Sequence, residues 1–170
     1  MTKTRILFAT AVMIAGLGVA GVAVAGRDGA SEAAPATARF HDLDAAKAAG
    51  YSVQVFDAAG ITCIASDQGA MGVHMLNPSL LDGTVDATQP ELLVYEPRNN
   101  GSLKLVALEY LVFEAAWEGE DPPALFGRTF DFTPEPNRYG LPPFYALHAW
   151  IWKPNPSGLL HAWNPSVDCG

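Results

Sequence analysis

The sequence predicts an α+β fold, mainly antiparallel sheet with one or two short helices, in a single domain. Three observations favour this class. Apolar residues nowhere repeat over a long stretch with the period of a helix. Two β-favouring runs, residues 92–96 and 103–114, flank Asn100 and Gly101, which tolerate positive φ, so we expect a hairpin there. Residues 144–152 form a further aromatic-rich strand that ends before Pro154.

The chain begins with the pattern of an export signal. Residues 6–25 are almost all apolar, follow Lys3 and Arg5, and close on a small-residue pattern typical of signal cleavage. The alternative is an uncleaved membrane anchor, since about twenty apolar residues can span a bilayer. We predict a signal peptide over residues 1–25, a flexible tether over 26–38 and one domain over 39–170, in a secreted or periplasmic protein.

Short elements open the predicted domain. Asp42 or Asp44 is placed to cap a brief helix through Ala49, which Gly50 would end. Residues 53–55 and 61–65 have strand character, and the turn-forming stretch 57–60 separates them, so we expect a second hairpin there.

Charge and composition exclude some functions. Cleavage after Ala25 would leave 145 of the 170 residues, with eight basic and eighteen acidic side chains and a net charge of −10. Such a surface repels phosphate backbones and anionic lipids, so we expect no nucleic-acid partner and no membrane association after cleavage. The sequence has no phosphate-binding loop, no HExxH pair and no GxSxG elbow. It predicts neither the oligomeric state nor a substrate.

The chain has two cysteines, Cys63 and Cys169. In an oxidising compartment an even pair predicts a disulfide, which here would fasten the C-terminus to the first third of the domain. The alternative, a cysteine nucleophile or metal ligand, has no CxxC spacing to support it.

Three ionisable residues stand alone in apolar surroundings. Strict alternation along residues 103–114 places Glu109 on one face with Leu103, Leu105, Ala107, Leu111 and Phe113. In the same way His148 shares a face with Phe144, Ala146, Trp150 and Trp152, and His74 lies within the apolar run 71–75. A buried carboxylate in such a row needs a cation, a hydrogen-bond donor or a raised pKa.

Together, His74, Glu109 and His148 have the composition of a two-His, one-carboxylate site for a divalent transition metal. Two other interpretations stay open: a structural hydrogen-bonded network, and an acid–base pair that acts on a bound small molecule. The aromatic side chains of Tyr110, Phe144, Trp150 and Trp152 are candidates for the floor of an apolar ligand pocket, although core packing is the more common use of such residues.

Most of the chain after the predicted tether resembles a family of exported bacterial proteins without an assigned function. The residues that carry the resemblance are Gly69 to His74, Asn77 to Gly83, Pro90-Glu91, Tyr95 to Pro97, Glu109-Tyr110, His148 to Gly158, Trp163 to Pro165 and Cys169. At position 75 the chain has Met where an aromatic residue often follows the histidine in that family. The resemblance implies export and a single domain, and it transfers no catalytic residue.

From these observations we expect an exported binding domain that holds a metal ion or a small apolar ligand in a pocket walled by sheet residues. Two alternatives are a secreted enzyme that uses the same three groups, and a disulfide-stapled structural domain without a ligand. The sequence leaves the identity of the metal or ligand open.

Overall fold

The computed structural model describes residues 28–170, so the predicted signal peptide lies outside the described residues. The fold is mostly antiparallel sheet with two short helices, which confirms that part of the predicted class. The helices are α1 (Asp28–Thr37) and α2 (Leu43–Ala48), and the strands are β1 (Val53–Gln54), β2 (Cys63–Ser66), β3 (Gly69–Leu76), β4 (Leu92–Pro97), β5 (Leu103–Phe113), β6 (Ala124–Leu125), β7 (Arg128–Thr129), β8 (Asp131–Thr133) and β9 (Phe144–Ala149).

The principal sheet has the strand order β1-β3-β4-β5-β9-β8, and β2 also pairs with β3. All of these pairings are antiparallel. Strands β6 and β7 form a separate two-stranded sheet. The predicted β4–β5 hairpin is confirmed, with its turn closed by a hydrogen bond from the Gly101 amide to the Arg98 carbonyl.

One face of the sheet, which we call the helix face, packs against the N-terminal helices. Its side chains include Val73, Met75, Leu93, Tyr95, Leu108, Tyr110 and Leu147, all of them buried. Phe40, Ala46 and Tyr51 pack onto them, and the hydroxyl of Tyr95 donates a hydrogen bond to the Phe40 carbonyl. The opposite face, which we call the pocket face, carries His74, Leu92, Glu109, Leu111, Ala146 and His148.

The first helices form partly as the sequence predicts. Asp42 caps α2 by accepting hydrogen bonds from the amides of Asp44 and Ala45, and Gly50 follows with a positive φ. From Asp28 onward, however, the chain is helical where we predicted a flexible tether over residues 26–38. The cause is tertiary packing: Ala33 and Thr37 are fully buried against the body of the fold. The domain boundaries themselves stay a prediction.

The second predicted hairpin is wrong. Strands β1 and β2 do not pair with each other but both pair with the same edge of β3, one after the other along it. The predicted turn between them does form, since the Gly60 amide donates a hydrogen bond to the Asp57 carbonyl. Asp57 also forms an ion pair with Arg138, 3.0 Å away, and Val55 and Phe56 just before the turn line the pocket face.

A β-bulge in β5 changes which side chains accompany Glu109. Ala107 pairs with Val94 and Leu105 pairs with Tyr95, so Val106 is an extra residue with no partner on β4. The strict alternation that placed Leu103 and Leu105 with Glu109 is therefore wrong. Both leucines pack on the helix face, and only the part of the strand after the bulge keeps the predicted alternation.

The predicted disulfide is present. It joins Cys63 on β2 to Cys169, over a sequence separation of 106 residues. The bridge fixes the C-terminal segment, in which Val167 packs beside Ala70 and Trp150 on the pocket face. Among residues 28–170, no helix has both the length and the apolar character needed to cross a membrane.

Candidate metal centre

Three strands bring His74, Glu109 and His148 together on the pocket face. His74 lies on β3, Glu109 on β5 and His148 on β9. Glu109 and His148 are direct cross-strand partners, whereas His74 reaches them across β4, where it is opposite Val94. The predicted triad therefore converges. Its members sit on extended strands inside a sheet, which hold side chains more precisely than loops do.

The distances within the triad suit a metal ion. One imidazole or carboxylate donor atom from each of the three residues lies within 4.8 Å of the others. Nε2 of His74 is 3.3 Å from Oε2 of Glu109 and 3.3 Å from Nε2 of His148, and Nδ1 of His148 is 3.5 Å from Oε1 of Glu109. Two donor atoms bound to one Zn²⁺ at ~2.1 Å are roughly 3.0–3.4 Å apart at ordinary bond angles. The two 3.3 Å spacings made by Nε2 of His74 lie in that range, and since one imidazole binds an ion through a single nitrogen, the third spacing of a common donor set is bounded by the 4.8 Å limit.

The triad is buried, and the two imidazoles share one hydrogen bond between their Nε2 atoms. The two histidines are each 4% exposed and Glu109 is 9% exposed. The Glu109 carboxyl has two imidazole nitrogens as polar neighbours, Nε2 of His74 and Nδ1 of His148. Nδ1 of His74 is buried without a partner in good hydrogen-bond geometry among residues 28–170, and its neighbour is the Gly72 backbone, close enough to raise the pKa of His74. An unsatisfied buried polar group costs about 1–3 kcal/mol, and a metal bound through Nε2 of His74 would leave Nδ1 as it is, so the carboxyl group is what distinguishes a metal site from a structural network.

Burial keeps all three groups uncharged near neutral pH. It raises the pKa of Glu109 to about 8, and the charge of Glu91 adds to that effect. Burial lowers the pKa of His74 to about 4, opposed in part by the Gly72 backbone. Burial and then the neighbouring His74 lower the pKa of His148 well below its usual range. Neutral imidazoles are competent metal ligands, and a cation would compensate the carboxylate once Glu109 loses its proton.

A pocket of about 340 Å³ opens directly above the triad. Its walls are mainly apolar, and His74, Glu109 and His148 supply the polar part of its floor. The wall residues come from both sheet and loops, and include Val55, Phe56, Met71, Leu81, Leu111, Tyr139, Leu141 and Phe144. Asp131 and Thr133 are also among the lining residues. Small-molecule sites are concave, largely apolar and equipped with a few convergent polar groups, as this one is.

Of the four aromatic residues predicted to line a ligand pocket, Phe144 does so. The prediction is wrong for the other three. Tyr110 is buried on the helix face, where its hydroxyl donates a hydrogen bond to the Ala87 carbonyl. Trp152 follows the end of β9, so strand alternation no longer applies, and its side chain packs against the helix-face cluster.

Trp150 keeps the predicted face but contacts the triad and not the pocket. Its ring centroid is 5.9 Å from that of His148, and its indole N–H donates a hydrogen bond to the His161 carbonyl. It is packed with Val167 and Ala70. Trp150 therefore helps to bury His148.

Tyr139 and Glu91 also belong to the surroundings of the site, and neither was among the residues predicted from the sequence. Tyr139 lines the pocket from the loop between β8 and β9, and its hydroxyl has the thioether sulfur of Met71 as a partner, 3.8 Å away. Burial, and then the charge of Glu109, raise the pKa of Tyr139 to about 12. Glu91 directly precedes β4 and is 2% exposed. A single charged residue before an apolar strand was the available signal for Glu91, whereas Tyr139 is placed by a loop that has no periodicity.

The fold and site define this chain as an antiparallel-sheet protein with a buried His–Glu–His cluster under an apolar pocket. Comparison with protein-family models, with curated proteins and with solved structures gives no match. Function is therefore argued from the site itself.

Proposed function

We propose that this protein is an exported, single-domain binding protein that holds a divalent transition-metal ion through His74, Glu109 and His148. The observation that carries the proposal is a buried carboxyl group whose polar partners are two imidazoles, with nitrogen–oxygen distances of 3.3 and 3.5 Å, so that one donor atom from each of the three residues falls within 4.8 Å of the others. Two histidines and one carboxylate suit zinc and iron(II), among other ions, and leave coordination positions free. The disulfide supports the export part of the proposal, since such bonds persist in oxidising compartments.

The test is metal analysis of the full chain purified from the compartment to which its host exports it, followed by zinc rebinding after chelation. We expect about one ion per chain in the wild type. His74→Ala removes one ligand and is expected to lose the ion. His41→Ala is the matched control, because His41 is exposed, lies against Trp152 and is far from the triad in the fold.

Glu109→Gln separates a metal site from a structural network. The substitution keeps the size and the neutrality that Glu109 has at pH 7, so a metal-free network would tolerate it with little change in the free energy of unfolding. A metal site would lose its only anionic ligand and with it most of its affinity. Wild-type protein that takes up no zinc, or Glu109→Gln protein that binds zinc as tightly as wild type, would overturn the proposal.

A second function, an enzyme that uses the same three groups, is favoured by the pocket above the triad. The neutral carboxyl group of Glu109 beside the uncharged His148 is also suited to acid–base chemistry without a metal. Chelation would abolish a metal-dependent activity and leave an acid–base activity intact.

A further inference from the structure

We propose that the pocket binds a small apolar monocarboxylate, with the carboxylate group at the triad and the hydrocarbon body against the apolar walls. The inference rests on the proposed metal site and names the ligand class of that site. Three features of the pocket carry it: its charge, its size and the hydroxyl of Tyr139.

One bound monoanion would neutralise the charge of the metal-loaded site. A divalent ion with one carboxylate and two neutral imidazoles carries a net charge of +1 in a buried setting. Asp131, the other acidic residue of the pocket lining, is exposed and paired with Arg128 at 3.1 Å. Glu91, whose charge acts on Glu109, lies outside the lining and is bonded to the Leu111 amide, so neither residue contacts the floor as a counter-charge. Because an uncompensated buried charge is costly, a monoanionic donor at the floor is favoured over a neutral one.

The size and walls of the pocket define the rest of the ligand. A volume of about 340 Å³ is near the small end of the ~300–1,000 Å³ typical of ligand pockets. A water molecule occupies about 30 Å³ in the liquid, so the pocket has room for about ten non-hydrogen atoms. Leu92, Leu111 and Phe144 line the wall next to the triad, and they offer no hydrogen bond to a polar ligand body.

Tyr139 supplies a donor for the carboxylate. Its hydroxyl is directed at the thioether of Met71, a weak acceptor, at 3.8 Å. Exchange of that partner for a carboxylate oxygen would form a charge-assisted hydrogen bond, which is roughly twice as strong as a neutral one. Tyr139 is thus the residue expected to act on ligand affinity without being a metal ligand.

The experiment is calorimetric titration of the zinc-loaded full chain with four probes: phenylacetate, octanoate, acetate and 2-phenylethanol. The first two have a carboxylate and an apolar body of about the right size, acetate lacks the body, and 2-phenylethanol lacks the charge. We expect phenylacetate and octanoate to bind at least tenfold more tightly than the other two. We also expect removal of zinc to weaken their binding at least tenfold.

Tyr139→Phe is expected to weaken phenylacetate binding about tenfold, as loss of one hydrogen bond to a charged group implies, with zinc content unchanged. Tyr145→Phe is the matched control, since Tyr145 packs with the helix-face cluster against Phe132. Ala146→Leu fills the pocket and is expected to weaken octanoate more than acetate, whereas Ala48→Leu, on the exposed side of α2, changes neither.

The outcomes separate the two proposals. A chain that takes up no zinc overturns the metal site and this inference together. A zinc-loaded chain that binds acetate or 2-phenylethanol as tightly as phenylacetate, or a zinc-free chain that binds phenylacetate equally well, overturns the inference alone. The titrations of the wild type test the ligand class of the pocket even where a variant fails to fold.

Discussion

Glu91 makes the stability of this fold depend on pH in the direction opposite to that of an ordinary surface carboxylate. The side chain is enclosed beside β4, and its Oε2 accepts a hydrogen bond from the Leu111 amide at 2.9 Å. Burial raises the pKa of Glu91 to about 8, the Leu111 hydrogen bond opposes this, and Asp82 and Asp86 add to it. In the unfolded chain the pKa returns to its ordinary value of 4.5.

The direction in which stability changes with pH follows from the difference in bound protons between the folded and unfolded states. Below pH 4.5 both states hold the Glu91 proton, so its contribution to stability is fully present. Between pH 4.5 and about 8 the unfolded chain has lost that proton and the folded chain retains it, so the contribution falls as pH rises. In this range the free energy of unfolding falls by about 1.4 kcal/mol per pH unit, and by less close to pH 4.5. Between pH 5 and pH 7 the Glu91 contribution therefore decreases by about 2–3 kcal/mol.

The perturbation is Glu91→Gln, which keeps an oxygen to accept the Leu111 hydrogen bond and removes the titration. The assay is urea unfolding of metal-free protein at pH 5, 6 and 7 for wild type and variant. Glu109 titrates in both proteins, so the difference between the two pH profiles reports Glu91 together with the effect of its charge on Glu109. We expect the wild type to lose about 2–3 kcal/mol more than the variant over this range. Parallel profiles would refute the reasoning.

Two further predictions concern the backbone and the disulfide. Gly72→Ala is expected to reduce the free energy of unfolding by at least about 2 kcal/mol, because φ is +115° and a Cβ would lie 2.5 Å from the Tyr95 carbonyl oxygen. Gly101→Ala, at φ +80° with nothing within 4 Å, is expected to cost only about 1 kcal/mol, and equal losses in denaturant titrations would contradict this account. Cys169→Ser is expected to lower the free energy of unfolding by about 2–5 kcal/mol, since the bridge closes a long loop. An unchanged melting temperature in calorimetry would count against that expectation.

The convergence of the triad was predictable in part. Period-two alternation along β5 and β9 correctly placed Glu109 on the same face as Leu111, and His148 on the same face as Ala146. Their pairing, and the arrival of His74 across β4, depend on sheet order and register, which composition and periodicity along one strand do not encode.

The failures have definite physical causes. The bulge at Val106 reversed the faces of the residues before it, and no glycine or proline marks that position. Residues 28–37 have tether-like composition but gain helical order by burying Ala33. Tyr139 and Leu141 reach the pocket from a stretch whose path is determined by tertiary contacts, such as the pair between Arg138 and Asp57.

The outermost strands of the sheet are short. One border is only three residues long, Asp131–Thr133, and the other is divided between Val53–Gln54 and Cys63–Ser66 with an irregular turn between them. Neither offers the long, regular row of free amide and carbonyl groups that templates fibril growth or strand exchange between molecules. We expect the folded protein to stay dispersed at high concentration, even though the middle of the sheet is almost continuously apolar.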